Sequence, residues 1–186
     1  MAFVVVCLLS VPLTGGRLAA LGELRFRWWA LLTLALTIQV VTISIVPDGP
    51  IGLYKVLHAV SYLAAFTFVW MNRHVRGVVL VGLGAASNFA AIAANDGVMP
   101  ASAAALRRAG APVVHDTFTN STTVDGARLS FLGDVFAIPS WMPFANVFSI
   151  GDVVIALGAA FIVHAQCRTR LVPARGLRSV TEGTVH

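Results

Sequence analysis

Two aspartates stand where a carboxyl group is costly to house. Asp152 follows Phe148-Ser149-Ile150-Gly151 and opens the apolar run Val153-Val154-Ile155-Ala156-Leu157-Gly158, while Asp134 closes the run from Leu129 to Gly133. An ionisable group at membrane depth is expensive, so it is a functional candidate by default. If two carboxyls meet in a poorly solvated place they cannot both ionise, and the pair holds one proton. Such an aspartyl dyad activates a water with its ionised member and protonates a carbonyl or leaving oxygen with the neutral one. Asp134 and Asp152 are therefore the candidate catalytic residues. The competing reading places Asp152 in the first turn of a helix, facing its dipole, and leaves Asp134 as a turn residue after Gly133.

Other polar residues could line the same site. Asn88 and Asn95 are seven apart, hence on one helical face, and either bind a substrate carbonyl, orient the carboxyls, or tie neighbouring helices, with Asn95-Asp96-Gly97 and Pro100 making a turn. Lys55, His58 and Tyr62 follow i, i+3, i+7 spacing and form either interfacial anchors or a polar wall. Asn88, Asn95, His58 and Ser149 are the candidate substrate-binding residues; His74 and His164 read as interface residues. Gly-rich phosphate loops, HExxH, GxSxG and cysteine-based signatures are missing. Cys7 and Cys167 give no disulfide framework and no metal spacing, so no cofactor or metal is expected.

The elements that must position these groups follow from composition. Of 186 residues, 58% are hydrophobic and 11% charged, and the mean hydropathy is +0.83. An ordinary soluble domain is about 45–50% apolar and about 25% charged, so a soluble enzyme is excluded. A membrane span asks for about 20 apolar residues, and apolar stretches lie near 2–14, 28–46, 53–71, 77–95 and 148–167. The expected fold is an all-α, polytopic transmembrane helix bundle of about five spans, a transmembrane domain over 1–167, with one long extracytoplasmic loop over 96–147. The first stretch is short and either runs on through Gly15-Gly16-Arg17 towards Leu21 or lies tilted. It reads as an anchor, since it lacks a basic leader and a small-residue cleavage site, with a cleaved secretion signal as the alternative.

The net charge of +5 forms no basic-aromatic patch of the kind that binds nucleic acid. Arg17, Arg25 and Arg27, then Arg73 and Arg76, then Arg168, Arg170, Arg175 and Arg178 place nine of the 13 basic residues on one side of five alternating spans. That side is cytoplasmic by the positive-inside rule, giving an N-terminus out and a C-terminus in, at a bacterial cell membrane. Trp28 and Trp29 fall at the inner interface. Within the long loop, 115–128 is Thr-rich, without a period, and reads as a loop or a small ribbon. Residues 131–148 are apolar and aromatic, with Pro139, Trp141 and Pro143 breaking any helix, and are expected on or in the membrane surface. Asn120-Ser121-Thr122 is a formal glycosylation sequon, and the basic tail 168–186 is expected to be disordered.

Gly15-Gly16-Arg17-Leu18, His58-Ala59-Val60-Ser61-Tyr62, Asn95-Asp96-Gly97-Val98-Met99-Pro100, Leu132-Gly133-Asp134 and Phe148-Ser149-Ile150-Gly151-Asp152 together resemble a bacterial multi-pass membrane family, domain of unknown function 5317, over about residues 1–167. The family implies no activity. Over about 140 residues, and most specifically over the last 35 of that stretch, the chain is also distantly similar to lipoprotein signal peptidase, an intramembrane aspartic peptidase. Leu132-Gly133-Asp134-Val135-Phe136 and Phe148-Ser149-Ile150-Gly151-Asp152 stand for its two aspartate motifs, with Ile155 and Gly158 downstream, and Gly84-Ala85-Ala86-Ser87-Asn88 resembles the start of another. That resemblance implies catalysis by Asp134 and Asp152 at the outer face. The chain departs from the pattern at Ser149 (Asn in the motif), at Val153 (Ser or Thr), and after Asn88, where no Asp-Arg follows.

Two function classes emerge. One is a non-catalytic membrane protein binding membrane lipid, an ion or a partner through a polar, Asp-containing extracytoplasmic site. The other is an intramembrane aspartyl hydrolase acting on a lipid-linked or membrane-inserted substrate. Binding or assembly is placed ahead of hydrolysis, and the sequence leaves the oligomeric state open.

Overall fold

The computed structural model describes residues 2–42, 51–111 and 123–172. The chain is mostly helical: α1 (Ala2–Leu13), α2 (Trp29–Val40), α3 (Ile51–Met71), α4 (Val78–Ala94), α5 (Ala103–Ala109) and α6 (Ile150–Gln166), with 3-10 turns at Leu18–Glu23 and Ser130–Leu132 and two short strands, β1 (Phe136–Ile138) and β2 (Asn146–Phe148). Residues 43–46 of the expected second span, the connection that follows at 47–50, the sequon at 120–122 and the tail from 173 onward lie outside the described residues.

The tightest packing joins α4 to α6, and glycine spacing explains it. Gly77 and Gly84 are seven apart, as are Gly151 and Gly158, so each pair lines one helical stripe. The two stripes meet in antiparallel register. A Cβ on Gly84 would lie 2.5 Å from the Gly151 carbonyl oxygen, one on Gly77 2.7 Å from the Gly158 carbonyl oxygen, and one on Gly158 2.7 Å from the Val81 nitrogen. Small residues let helix backbones approach this closely and so gain dispersion contact along the seam. Gly77 is doubly constrained, because as the N-cap of α4 it also holds φ at +95°.

Elsewhere side-chain amides do the joining. Asn72, fully buried just past α3, donates to the Arg27 carbonyl (2.8 Å) and the Phe68 carbonyl (2.9 Å), and accepts from the Arg27 N–H (2.8 Å). Asn95, just past α4, repeats the device. It donates to the carbonyls of Ala91 and Arg128 (2.7 Å each) and accepts from the Arg128 N–H (2.9 Å). Each amide thus satisfies both backbone groups of a distant residue as a strand partner would. Gln39 of α2 reaches Ser61 of α3 (3.2 Å).

Helix α1 is fastened to the end of α6. Buried His164 lies 3.1 Å from Ser10 Oγ through Nε2 and 3.1 Å from Thr169 Oγ1 through Nδ1. The Arg17 N–H donates to the Cys167 carbonyl (3.0 Å), and the Arg170 N–H to the Thr14 carbonyl (3.1 Å). His164 is thus a buried tie between helices rather than an interface residue. Residues 15–21 do not prolong α1: the chain turns at Gly15 (φ +78°), and Leu18–Glu23 form their own 3-10 turn.

The long connection is more ordered than its sequence announces. Ser102 caps α5, its hydroxyl accepting from the Ala105 N–H, and Gly110 ends the helix at φ +70°. Strands β1 and β2 pair antiparallel, with Phe136 opposite Phe148, Ala137 opposite Val147 and Ile138 opposite Asn146. Helix α5 lies on this ribbon around Ala101, Ala105, Leu106, Ala109 and Val147. The chain is mostly helical, as expected, and this ribbon is an addition to its helices.

Helix α3 holds one stretch, Gly52–Met71, that is long and apolar enough to cross a membrane, and only 28% of it is buried within the molecule. Helices α4 and α6, at 17 residues each, are about 26 Å long, at the short end of the spanning range. Helices α1 and α2 have 12 residues each, or about 18 Å.

Candidate functional site

The N-terminus of α6 is built by its own sequence. Ser149 at the N-cap and Asp152 three residues on form a capping box: the Asp152 N–H donates to Ser149 Oγ (3.0 Å) and the Ser149 N–H to Asp152 Oδ2 (2.9 Å). The sequence reading of Asp152 as a first-turn helical residue describes its backbone position.

The third member is one of the two asparagines offered by the sequence for orienting a carboxyl. Asn88 of α4, buried four residues beyond Gly84, donates from Nδ2 to Asp152 Oδ1 (2.8 Å). The Ser149 hydroxyl, fully buried, lies 2.7 Å from Asn88 Oδ1 and 2.9 Å from Asp152 Oδ2, so its single proton serves one of these acceptors at a time. Both carboxyl oxygens therefore accept hydrogen bonds, Oδ1 from Asn88 and Oδ2 from the Ser149 N–H. A Cβ on Gly151 would collide with the Asn88 amide oxygen, so the glycine stripe that brings α4 against α6 also admits the amide.

Asp134 is placed by its backbone. Its N–H donates to the Pro100 carbonyl (2.9 Å) and its carbonyl accepts from the Ser102 N–H (3.0 Å), forming a parallel bridge beside Ala101. Gly133 is pressed against the Pro100 carbonyl, where a Cβ would clash. Asp134 is 4% exposed, which removes it from the solvated-turn reading. Leu132, two residues before it, packs on the cluster of Tyr62, Ala91, Ile92 and Met99. Asp134 and Asp152 thus both lie by the C-terminal half of α4.

The remaining candidates divide. His58 and Tyr62 are buried on α3 with ring centroids 5.2 Å apart, and Tyr62 packs on Phe89 of α4 at 4.9 Å, within electrostatic reach of Asp152. Lys55 is exposed, its stem against Gly97. Asn95 is occupied by Ala91 and Arg128 and stands outside the Asn88–Ser149–Asp152 network. Tyr62 is the residue that spacing alone undervalued; its signal was the i+4 relation to His58. Among the described residues, no three of His, Cys, Asp or Glu converge as metal ligands would.

A polar, Asp-centred cluster inside a mostly helical, apolar molecule defines the class. Residues 23–164 match the model of a family of unknown function (DUF5317), and the chain belongs to that family. No curated protein and no solved structure matches it.

Proposed function

We propose that this chain is a multi-pass protein of the bacterial cell membrane, N-terminus out and C-terminus in, whose extracytoplasmic cluster around Asp152 serves binding or assembly and not hydrolysis. The observation that carries this reading is the occupation of both Asp152 oxygens by Asn88 and Ser149. Those bonds assign the carboxyl a structural task, fixing α6 against α4, that calls for no second acid. Support for the membrane comes from the composition, from the largely uncovered apolar length of α3, and from outward-facing Val5, Val6, Leu9, Val56, Leu63, Trp70, Leu83 and Leu157. Asp152, half-buried where Asn88, Ser149, Tyr62 and His58 are buried, is the group of the cluster left to meet a membrane lipid or membrane-inserted partner.

A hydrolase related to lipoprotein signal peptidase is the second reading, favoured by the burial of Asp134 on the same half of α4. One experiment separates them. Asp152→Asn is produced in cells and its thermal unfolding in detergent is measured while membrane proteins are profiled for uncleaved precursors. Binding or assembly predicts a lowered Tm and an unchanged profile; a folded variant with accumulated precursors overturns it.

A further inference from the structure

The stretch from Val135 to Gly151 contains 17 residues and no Asp, Glu, Lys, Arg or His. It folds as the β1–β2 ribbon, and the turn between the strands, Pro139 to Ala145, carries its bulk outward. Trp141 is 81% exposed, Phe144 61% and Met142 41%. Neither strand needs these side chains, since the ribbon is held by Phe136 stacked on Phe148 at 5.4 Å and by α5 on its other side. An indole, a phenyl ring and a thioether brought together on one turn form an apolar patch of the kind that marks an interaction surface.

What adjoins the patch says what covers it. Arg107 and Arg108 end α5 and are exposed. The Ser140 N–H donates to the Arg108 carbonyl at 3.0 Å, so the residue before Trp141 is fastened to the second arginine. Uncharged aromatic bulk on a turn tied to the end of α5 that carries two exposed arginines complements an anionic phospholipid surface, with rings for the level of the glycerol and arginines for the phosphates. Backbone chemistry fixes the depth. The turn residues leave main-chain N–H and C=O groups without ladder partners, which hydrocarbon does not tolerate but the hydrated interface does.

We propose that α5 and the β1–β2 ribbon form an interfacial anchor that inserts Trp141, Met142 and Phe144 among the headgroups of the outer leaflet and engages anionic phospholipid through Arg107 and Arg108. The anchor rests on the membrane reading above and goes beyond it by assigning a lipid class to a surface distant in role from the Asp152 cluster.

The full chain is reconstituted in vesicles of phosphatidylcholine with or without phosphatidylglycerol, and the emission of Trp141 is taken as the difference between the protein and its W141F variant. An anchor gives a blue-shifted difference spectrum, protected from external iodide and quenched by lipids brominated near the headgroup more than by lipids brominated near the bilayer centre. Phosphatidylglycerol strengthens the shift, and R107Q/R108Q erases that dependence. A red, iodide-accessible Trp141 in a chain that resists alkaline extraction overturns the anchor while leaving the membrane reading intact. A blue-shifted indole insensitive to bromine places it against protein and likewise overturns it. A chain released by alkali overturns the membrane reading itself. Met142→Ser/Phe144→Ser, made in exposed residues of the turn, gives the same comparison should W141F alter folding.

Discussion

Asn88 has two consequences for Asp152: it supplies a hydrogen bond to Oδ1, and it draws α6 towards α4. Removing it in Asn88→Ala leaves a half-buried acceptor one donor short, a loss at the lower end of about 1–3 kcal/mol, or about 0.6–1.7 if the surroundings respond as polar contacts in lipid do. Ser149→Ala removes the helix cap as well as the shared proton, and caps of this type contribute about 1 kcal/mol. Chemical unfolding in detergent should show both losses. In the double variant Asn88→Ala/Asp152→Ala the effects should fall short of additivity by about 0.5 kcal/mol or more, because the second change removes a partner already lost. Strict additivity would mean that the pair does not interact. Half of this cluster was legible beforehand, since a serine followed three positions later by an acid ahead of an apolar run is a capping signature. Asn88 was a candidate beside Asn95, but its partner was not fixed, because the pairing spans 64 positions and depends on the register of two helices, which no local pattern encodes.

At the scale of elements, the glycine stripes set that register. Gly84→Ala places a methyl 2.5 Å from the Gly151 carbonyl oxygen, a contact with backbone that cannot step aside. Overpacking of this sort costs about 1–3 kcal/mol, and Gly158→Ala should cost as much. Gly22→Ala is the control: nothing lies within 4 Å of its added carbon, so its unfolding midpoint should stay within about 0.5 kcal/mol of the parent. Equal losses at positions 22 and 84 would show that helix contact is not what glycine provides at 84. The seven-residue spacings were visible in the sequence as Gly77, Gly84, Gly151 and Gly158, yet their pairing needed the antiparallel fold. Helix α5 escaped notice because seven residues, mostly alanine, carry too little periodicity. The ribbon escaped because Pro139 and Pro143 argued only against a helix, and strands of three residues lie below what alternation resolves.

For the whole molecule, apolar length and arginine placement carried most of what was foreseen, since bilayer thickness and surface charge act on long stretches and not on details of packing. The proposed orientation has a direct check. A fluorescent protein fused after Val172 should mature, and alkaline phosphatase inserted at Gly126, where an added carbon would meet open space, should be active. The reverse pair of signals would invert the molecule and carry the Asp152 cluster to the cytosol.

The amides of Asn72 and Asn95 take hold of the main chain at positions 27 and 128 and ask nothing of the guanidinium groups there, which remain exposed. Charge at those two places is thereby separable from folding. Glutamine or glutamate at 27 should leave the unfolding midpoint within about 0.5 kcal/mol of the parent while weakening the inward bias of the first connection, whereas proline, lacking the N–H that each amide requires, should undo the joint. On the proposed membrane reading, the charge that biases insertion can therefore be altered at position 27 without reopening the architecture that Asn72 secures.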